Sequence, residues 1–408
     1  MTELGQIDQM HDDLTALRRD IHAHPETAFE ENRTAQIVAE KLQSFGMEVS
    51  TGIGKTGVVG SLKCGSGNRA FAFRADMDAL FIEEENDFDH KSTNKGKMHA
   101  CGHDGHTTML LGAAEVLAKE KSFDGTLHFI FQPAEETVSG VPAMADDGLY
   151  TNFPVEAVYG MHNMPGWDVG TFAVRKGALF GSLDVFEMKV RGTCSHPAMQ
   201  HLSPDVLLVT TQIINAWQSI KARSVDPAVP AVVGVTQMQA GDPYNEPEAV
   251  HISPDVVYVR GDVVCFGASE RDKIERELKT IAESLCSAHG LTCEFTYNRY
   301  SPEMINSSDE TDTAVSVAEG LVGSENVFAD CAPILAAEDF AYLLEQWGGC
   351  YMLIGNGKGE QNKGGCMVHN PGYDFNDDII PLGVKYWVQL AETLMPEDQD
   401  AASETEAA

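Results

Sequence analysis

A chain of 408 residues with 43% hydrophobic and 8% aromatic content is long enough for two domains and a large core, and its composition is ordinary for a globular enzyme. The formal net charge of −34 argues against nucleic acid or anionic membrane as partner, because both need a basic surface. With no apolar stretch of membrane-spanning length and a polar, acidic start, the expected location is the cytoplasm, where nine cysteines without paired spacing fit reduced thiols better than a disulfide framework.

Residues 14–24 carry apolar side chains at helical spacing up to Pro25, where a helix is expected to end. Residues 30–45 predict a second helix, with Ile37, Val38, Leu42 and Phe45 on its apolar side and Gly46 as its stop. Four short apolar runs, 70–73, 127–131, 155–159 and 351–354, predict strands. Each leads into residues of the kind that do chemistry. The first is followed by Arg74-Ala75-Asp76-Met77-Asp78, the second by Gln132-Pro133-Ala134-Glu135-Glu136, and the third by Gly160-Met161-His162-Asn163. The fourth gives Gly355-Asn356 and, after a Gly- and Lys-containing loop, His369-Asn370-Pro371. Ligands of open α/β sheets bind outside the carboxyl ends of the strands, so four such ends point to one site.

Between the first two runs lies Met98-His99-Ala100-Cys101-Gly102-His103-Asp104-Gly105-His106. A thiol, three imidazoles and a carboxylate among two glycines are more metal-binding groups than a packed core has use for. Cys101 and His103, two residues apart, suit a tight loop rather than a helix face, with Gly102 and Gly105 supplying the turn. Asp104 stands as the candidate N-cap of a buried helix over 107–119. Taken alone, this cluster suits a Cys-His nucleophilic pair as well as a metal, and a buried apolar cysteine is the plainest alternative.

Further donors decide between these readings. Glu135 and Glu136 are adjacent after a strand and a proline, and neighbours in extended chain point to opposite sides, so one can bind metal while the other handles a proton. Cys101, His103, Glu136, His162 and His369 are then five donors of mixed S, N and O type, too many for one tetrahedral ion and suited to two divalent ions sharing a ligand. Two such ions polarise a scissile carbonyl and lower the pKa of water, and Glu135 would take that water's proton and pass it to the leaving amine.

From 182 to 297 the pattern changes to strand (183–190), helix (204–219), strand (231–238), strand (256–264), helix (269–288) and strand (291–297). This β-α-β-β-α-β order predicts a ferredoxin-like α+β unit, 182–297, inserted into a discontinuous α/β catalytic domain of 1–181 and 298–395 with a mostly parallel central sheet flanked by helices. That domain would end with a helix over 382–394, before an acidic tail, 396–408, that reads as disordered.

Together these motifs resemble the amidohydrolase branch of the dinuclear aminoacylase/carboxypeptidase metallopeptidase family, which contains indole-acetyl-amino-acid hydrolases, hippurate hydrolases and N-acyl-amino-acid amidohydrolases. The similarity runs over nearly the whole chain, from Arg18-Arg19-Asp20-Ile21-His22 through 73–80, 98–106, 131–136, 160–165 and Glu338-Asp339-Phe340 to 369–377. It implies Cys101 as bridging thiolate, His103 with His162 on one ion, Glu136 with His369 on the other, and Glu135 as general base. By the same match Asp78 orients ligands from behind, Asp76 stands where more distant relatives place a ligand histidine and is left out of the metal shell, and His99 and His106 are structural.

The inserted unit in this family forms a lid and the dimer interface. Its motif here, Ser195-His196-Pro197-Ala198-Met199-Gln200-His201, resembles Gly-His-Gly-Ala-Met-Pro-His, which implies His196 at the oxyanion of the tetrahedral intermediate and His201 near substrate. Ser195, Pro197 and Gln200 depart from that pattern. A second departure is His251-Ile252-Ser253-Pro254-Asp255, after a longer lead over 242–250, where relatives carry Asn-Val-Ile-Pro-Asp; Val264 replaces a frequent arginine, and Arg260 is retained. The resemblance therefore implies a homodimeric or larger amidohydrolase with two divalent ions (Zn, Mn or Co) acting on small N-acyl amino acids or similar conjugates. A Cys101-nucleophile hydrolase and a non-catalytic metal- or ligand-binding protein are the competing readings.

Overall fold

The computed structural model describes residues 4–241, 251–359 and 364–397, so the 242–250 lead and nearly all of the acidic tail lie outside the described residues. The chain divides into two compact units: Met1–Leu179 with Ile305–Ala332 and Glu338–Ala408, and Phe180–Met304 with Pro333–Ala337.

The first unit is built on an eight-stranded sheet in the order Glu48–Ile53, Gly57–Cys64, Gly125–Gln132, Ala70–Asp76, Ala157–Pro165, Gly349–Gly357, Phe172–Ala173, Val327–Phe328. The four expected strands are the four adjacent central ones, and all three of their mutual pairings are parallel. Parallel strands covered on both faces read as unbroken apolar runs, which is why these four were visible in the sequence. The antiparallel hairpin Glu48–Ile53/Gly57–Cys64 was not foreseen, since its first strand is polar and half-exposed and its second is interrupted by Gly60.

Helices His11–His22, Asn32–Ser44, His103–Glu120, Ser308–Val322, Phe340–Trp347 and Ile380–Leu394 flank this sheet. In the core the Phe73 ring stacks on Trp387 at 4.8 Å and meets Phe129 and Tyr159 edge-on at 6.4 and 6.2 Å. The helix His103–Glu120 is buried on nearly all its faces down to Leu117, as expected of a helix that is apolar all round. It starts four residues before the expected 107, and its N-cap is Gly102 in the left-handed region at φ 93, not Asp104. The Asp104 carboxylate is engaged elsewhere: Oδ2 accepts from His22 Nδ1 at 2.9 Å and faces the buried Arg18 guanidinium at 3.4 Å. Gly105 likewise makes no turn. It lies inside the helix, and it is glycine there because the Phe375 ring occupies the space a Cβ would fill, 2.2 Å away.

In the second unit, strand Ser182–Arg191, helix Val206–Ser219, strands Ala231–Gln239 and Val256–Cys265, helix Ala268–Ala288 and strand Thr292–Ser301 follow in sequence. The sheet is antiparallel, in the order Thr292–Ser301, Ser182–Arg191, Val256–Cys265, Ala231–Gln239, which is ferredoxin-like. Alternate residues Phe186, Met188 and Val190 face a core shared with Ile213, Trp217, Ile274 and Leu278, and Trp217 Nε1 donates to Leu278 O at 2.9 Å, tying the two helices together. Among the described residues, no helix is long and apolar enough to cross a membrane.

One core histidine gives a pH-dependent stability. His128, on a central strand and 8% exposed, has Ser61 Oγ at 2.8 Å, and burial pushes its imidazole down to about 4. Between pH 6.5 and 4 the unfolded chain takes up a proton at this position and the folded chain does not, so stability falls as the pH drops through that window, by up to about 3 kcal/mol. His128→Gln should show a shallower acid-side loss of Tm between pH 7 and 4.5 than wild type. Parallel curves would assign the acid sensitivity to other groups.

Candidate metal centre

The four parallel strands and the loop before the buried helix deliver the expected donors to one place. Cys101 Sγ lies 3.3 Å from His162 Nε2, and His369 Nε2 lies 3.3 Å from a Glu136 oxygen. Donor atoms of Cys101, His103 and His162 lie within 4.8 Å of one another, and so do those of Cys101, Glu136 and His369. Cys101 is common to both trios. A third group joins His103 to Glu136 and Glu135, whose carboxylates are each 3.9 Å from His103 Nε2.

Each donor is aimed by a neighbour. Gly102 places Cys101 beside His103, and a Cβ there would sit 2.3 Å from Asn163 Nδ2 and 2.5 Å from the Tyr373 hydroxyl, so this turn takes only glycine. Nδ1 of His103 donates to the Asp78 carbonyl at 2.9 Å and faces its carboxylate at 3.2 Å. The other Asp78 oxygen accepts from the Glu136 backbone N–H at 3.1 Å, so one buried carboxylate orients two donors. Nδ1 of His162 donates to Asn163 O at 2.6 Å, which leaves Nε2 as its lone pair. His162 belongs to strand Ala157–Pro165 itself rather than to a loop after it. His369, at φ 63, is pinned by its backbone N–H to Ala100 O at 2.7 Å, beside Cys101.

Glu135 follows Ala134, a non-glycine residue at φ 53 whose N–H donates to the buried Glu31 carboxylate at 2.9 Å. Glu31, absent from the expected set, thus holds the turn that presents both glutamates. Burial, then the nearby Glu338, Glu136, Asp339 and Asp78, push the Glu135 carboxyl well above its usual range. Burial opposes ionisation of Glu136 as well, but bonding to His369 and the charge of His103 outweigh it and lower its pKa. His103 is held up at about 10, because Asp76, Asp78 and Glu136 outweigh the burial that opposes its charge.

The residues fit divalent cations by a test internal to the polypeptide. His103 Nε2 and Glu136 Oε1 are buried, have no hydrogen-bond partner among the described residues, and lie 3.9 Å apart within the donor cluster. Buried polar atoms left unmatched cost free energy, a cation that displaces the His103 proton would satisfy both, and thiol, imidazole and carboxylate are together a transition-metal donor set. Burial and the neighbouring charges disfavour a thiolate–imidazolium pair of Cys101 and His162, although Sγ and Nε2 are 3.3 Å apart. Burial and then the Glu136, Glu135 and Asp76 charges push the Cys101 thiol well above its usual pKa, while burial and His106 hold His162 well below its own.

Asp76, set aside as a ligand in the sequence, has both oxygens engaged, by His106 Nδ1 at 2.7 Å and Arg74 at 2.6 Å. The fully buried Arg74 also reaches Gln132 at 2.7 Å and Glu338 at 2.9 Å, joining two strand ends to the segment before helix Phe340–Trp347. Nothing in the local sequence marks this network, whose partners lie up to 264 residues apart. His196 and His201 belong to the second unit, where both are exposed; His196 Nδ1 accepts from Ala198 N–H at 3.1 Å and caps the turn Pro197–Leu202.

Comparison with known proteins gives one answer at every level. The chain is 36% identical over 391 residues to a hippurate hydrolase of Campylobacter jejuni, covering 96% of this chain and 99% of that one. It is 32% identical over 383 residues to an N-acetylcysteine deacetylase of Bacillus subtilis, covering 93% and 96%. Its fold matches the crystal structure of a dinuclear metal-binding peptidase of Bacillus subtilis with a TM-score of 0.79 at 29% identity, over 95% of this chain and 99% of that one. The model of peptidase family M20/M25/M40 matches residues 72–393, a span that holds all five donors and Glu135, and the chain belongs to that family.

Proposed function

We propose that this metal-dependent amidohydrolase cleaves the amide bond of small N-acyl amino acids or similar conjugates, with two divalent ions held by Cys101, His103, Glu136, His162 and His369 and with Glu135 as proton carrier. The observation that carries the reading is the pair of donor trios sharing Cys101, with the unmatched buried atoms His103 Nε2 and Glu136 Oε1 among them. The names of the relatives, a hippurate hydrolase and an N-acetylcysteine deacetylase, support the substrate class. Sulfur and imidazole donors suit Zn²⁺, and the carboxylate admits Mn²⁺ or Co²⁺.

When bound, such ions polarise the scissile carbonyl and acidify the attacking water. Glu135 accepts the water's proton and delivers it to the departing amine. Asp78 holds His103 and the Glu136 backbone in place. In this reading the inserted unit, 182–297, serves as lid and dimer interface, His196 stabilises the developing oxyanion, His201 contacts substrate, and the protein works in the cytoplasm. The two departures from the family pattern are neighbours, since Ser253 N–H donates to Ser195 O at 2.8 Å. We therefore assign acyl or amino-acid preference partly to 195–201 and 251–255.

The test is metal analysis of the purified protein combined with hydrolysis of a panel of N-acyl amino acids. Chelation should abolish turnover, and Zn²⁺, Mn²⁺ or Co²⁺ should restore it. Full activity in metal-free protein would overturn the reading, and an ordinary hippurate-type preference would remove the role given to 195–201 and 251–255.

A further inference from the structure

His106 lies in the first turn of helix His103–Glu120, is 2% exposed, and is not among the five donors. Its Nε2 faces two N–H groups of Asn163, the backbone N–H at 3.0 Å and the side-chain amide at 3.1 Å. A backbone N–H can only donate, so Nε2 presents its lone pair and the ring proton sits on Nδ1, which donates to Asp76 at 2.7 Å. The other Asp76 oxygen accepts from Arg74. Both ring nitrogens are therefore used, and His106 has no lone pair left for a metal, although it lies among Asp76 and His103.

Asn163, the residue His106 holds, touches two members of the first donor trio, Cys101 and His162. Its side-chain N–H donates to Cys101 O at 2.6 Å, its side-chain oxygen accepts from the Tyr373 hydroxyl at 2.9 Å, and its backbone carbonyl accepts from His162 Nδ1 at 2.6 Å. The chain Arg74, Asp76, His106, Asn163 thus ends on the backbone of Cys101 and on the ring of His162, whose donor atoms stand 3.3 Å apart.

We infer that His106 is a positioning residue for the metal centre: through Asn163 it sets the separation of Cys101 and His162 and so the affinity of the site they share. This rests on the metal-centre reading above. The test uses the full-length protein, freed of metal and titrated with Co²⁺, reading the dissociation constant and the thiolate-to-cobalt absorption band. His106→Leu keeps the bulk and removes both hydrogen bonds; affinity should fall about 10- to 100-fold, the range found for residues that orient metal ligands, and the band should weaken or move. His106→Gln, whose amide can accept from Asn163 and donate to Asp76, should return to within a few-fold of wild type with the band restored. Tyr373→Phe, which loosens Asn163 from its other side, should lose affinity by a few-fold.

A purely structural role for His106 would lower thermal stability in His106→Leu and leave affinity and band at wild-type values, which would overturn the inference. If His106→Leu does not fold, Tyr373→Phe decides, and wild-type affinity with an unmoved band would be equally fatal. Wild-type protein that binds no Co²⁺ and gives no band would overturn the metal reading itself, a different failure from variants that match a cobalt-binding wild type.

Discussion

Glu135→Gln should retain its metal ions and hydrolyse N-acyl amino acids about 10²- to 10⁴-fold more slowly, the range in which a positioned proton carrier contributes. The substitution keeps the shape of the side chain and removes its ability to take a proton. Glu135 is well placed to take one, since it is 8% exposed and burial with the charges of Glu338, Glu136, Asp339 and Asp78 raises its affinity for a proton. A carboxylate so placed, once protonated by the attacking water, keeps the proton until the leaving amine claims it. Metal content makes the test specific, because Glu135 is also 3.9 Å from His103 Nε2 and could serve as a ligand. A variant that loses metal together with activity would make Glu135 a ligand, and one that keeps full turnover would end its role as proton carrier.

The chemistry of this site was legible because it sits at the ends of buried parallel strands. A strand covered on both faces carries an unbroken apolar run, so the polar residues after that run stand out, and Asp78, Glu135 and His162 are marked in that way. Cys101 and His103 stood out by local density. The supports of these residues were not legible. Glu31 reads as a solvated helix-start carboxylate, yet it is buried and bonded to Ala134, 103 residues away. Asp104 looks like an N-cap in any local window, and only the packing of His11–His22 against the buried helix turns it to Arg18 and His22. Asn163, next to a donor in sequence, shows its part only when Cys101 and Tyr373 are brought against it.

Cys101→Ala should weaken binding of both ions, because Cys101 alone among the five donors belongs to both trios. The loss should exceed the about 10- to 100-fold expected for a residue that merely orients a ligand, and His369→Ala should leave the trio of Cys101, His103 and His162 able to hold one ion. Proton release reports the same chemistry from another side. In the metal-free chain Cys101 is a thiol, since burial and three carboxylates oppose its ionisation, and His103, held up at about 10, carries a second proton at neutral pH. Both protons must leave before sulfur and nitrogen can serve as ligands, so loading the wild-type site at pH 7 should release about two protons. Because these groups hold their protons above neutral pH, protons compete with the metal, and affinity should rise as the pH is raised above 7. Calorimetric titration in buffers of different ionisation heat measures the release directly, and Cys101→Ala should lower it by about one proton. A wild-type site that loads without releasing protons, or a Cys101→Ala variant that still holds two ions at wild-type affinity, would remove the thiolate from the centre and with it the link between the two ions.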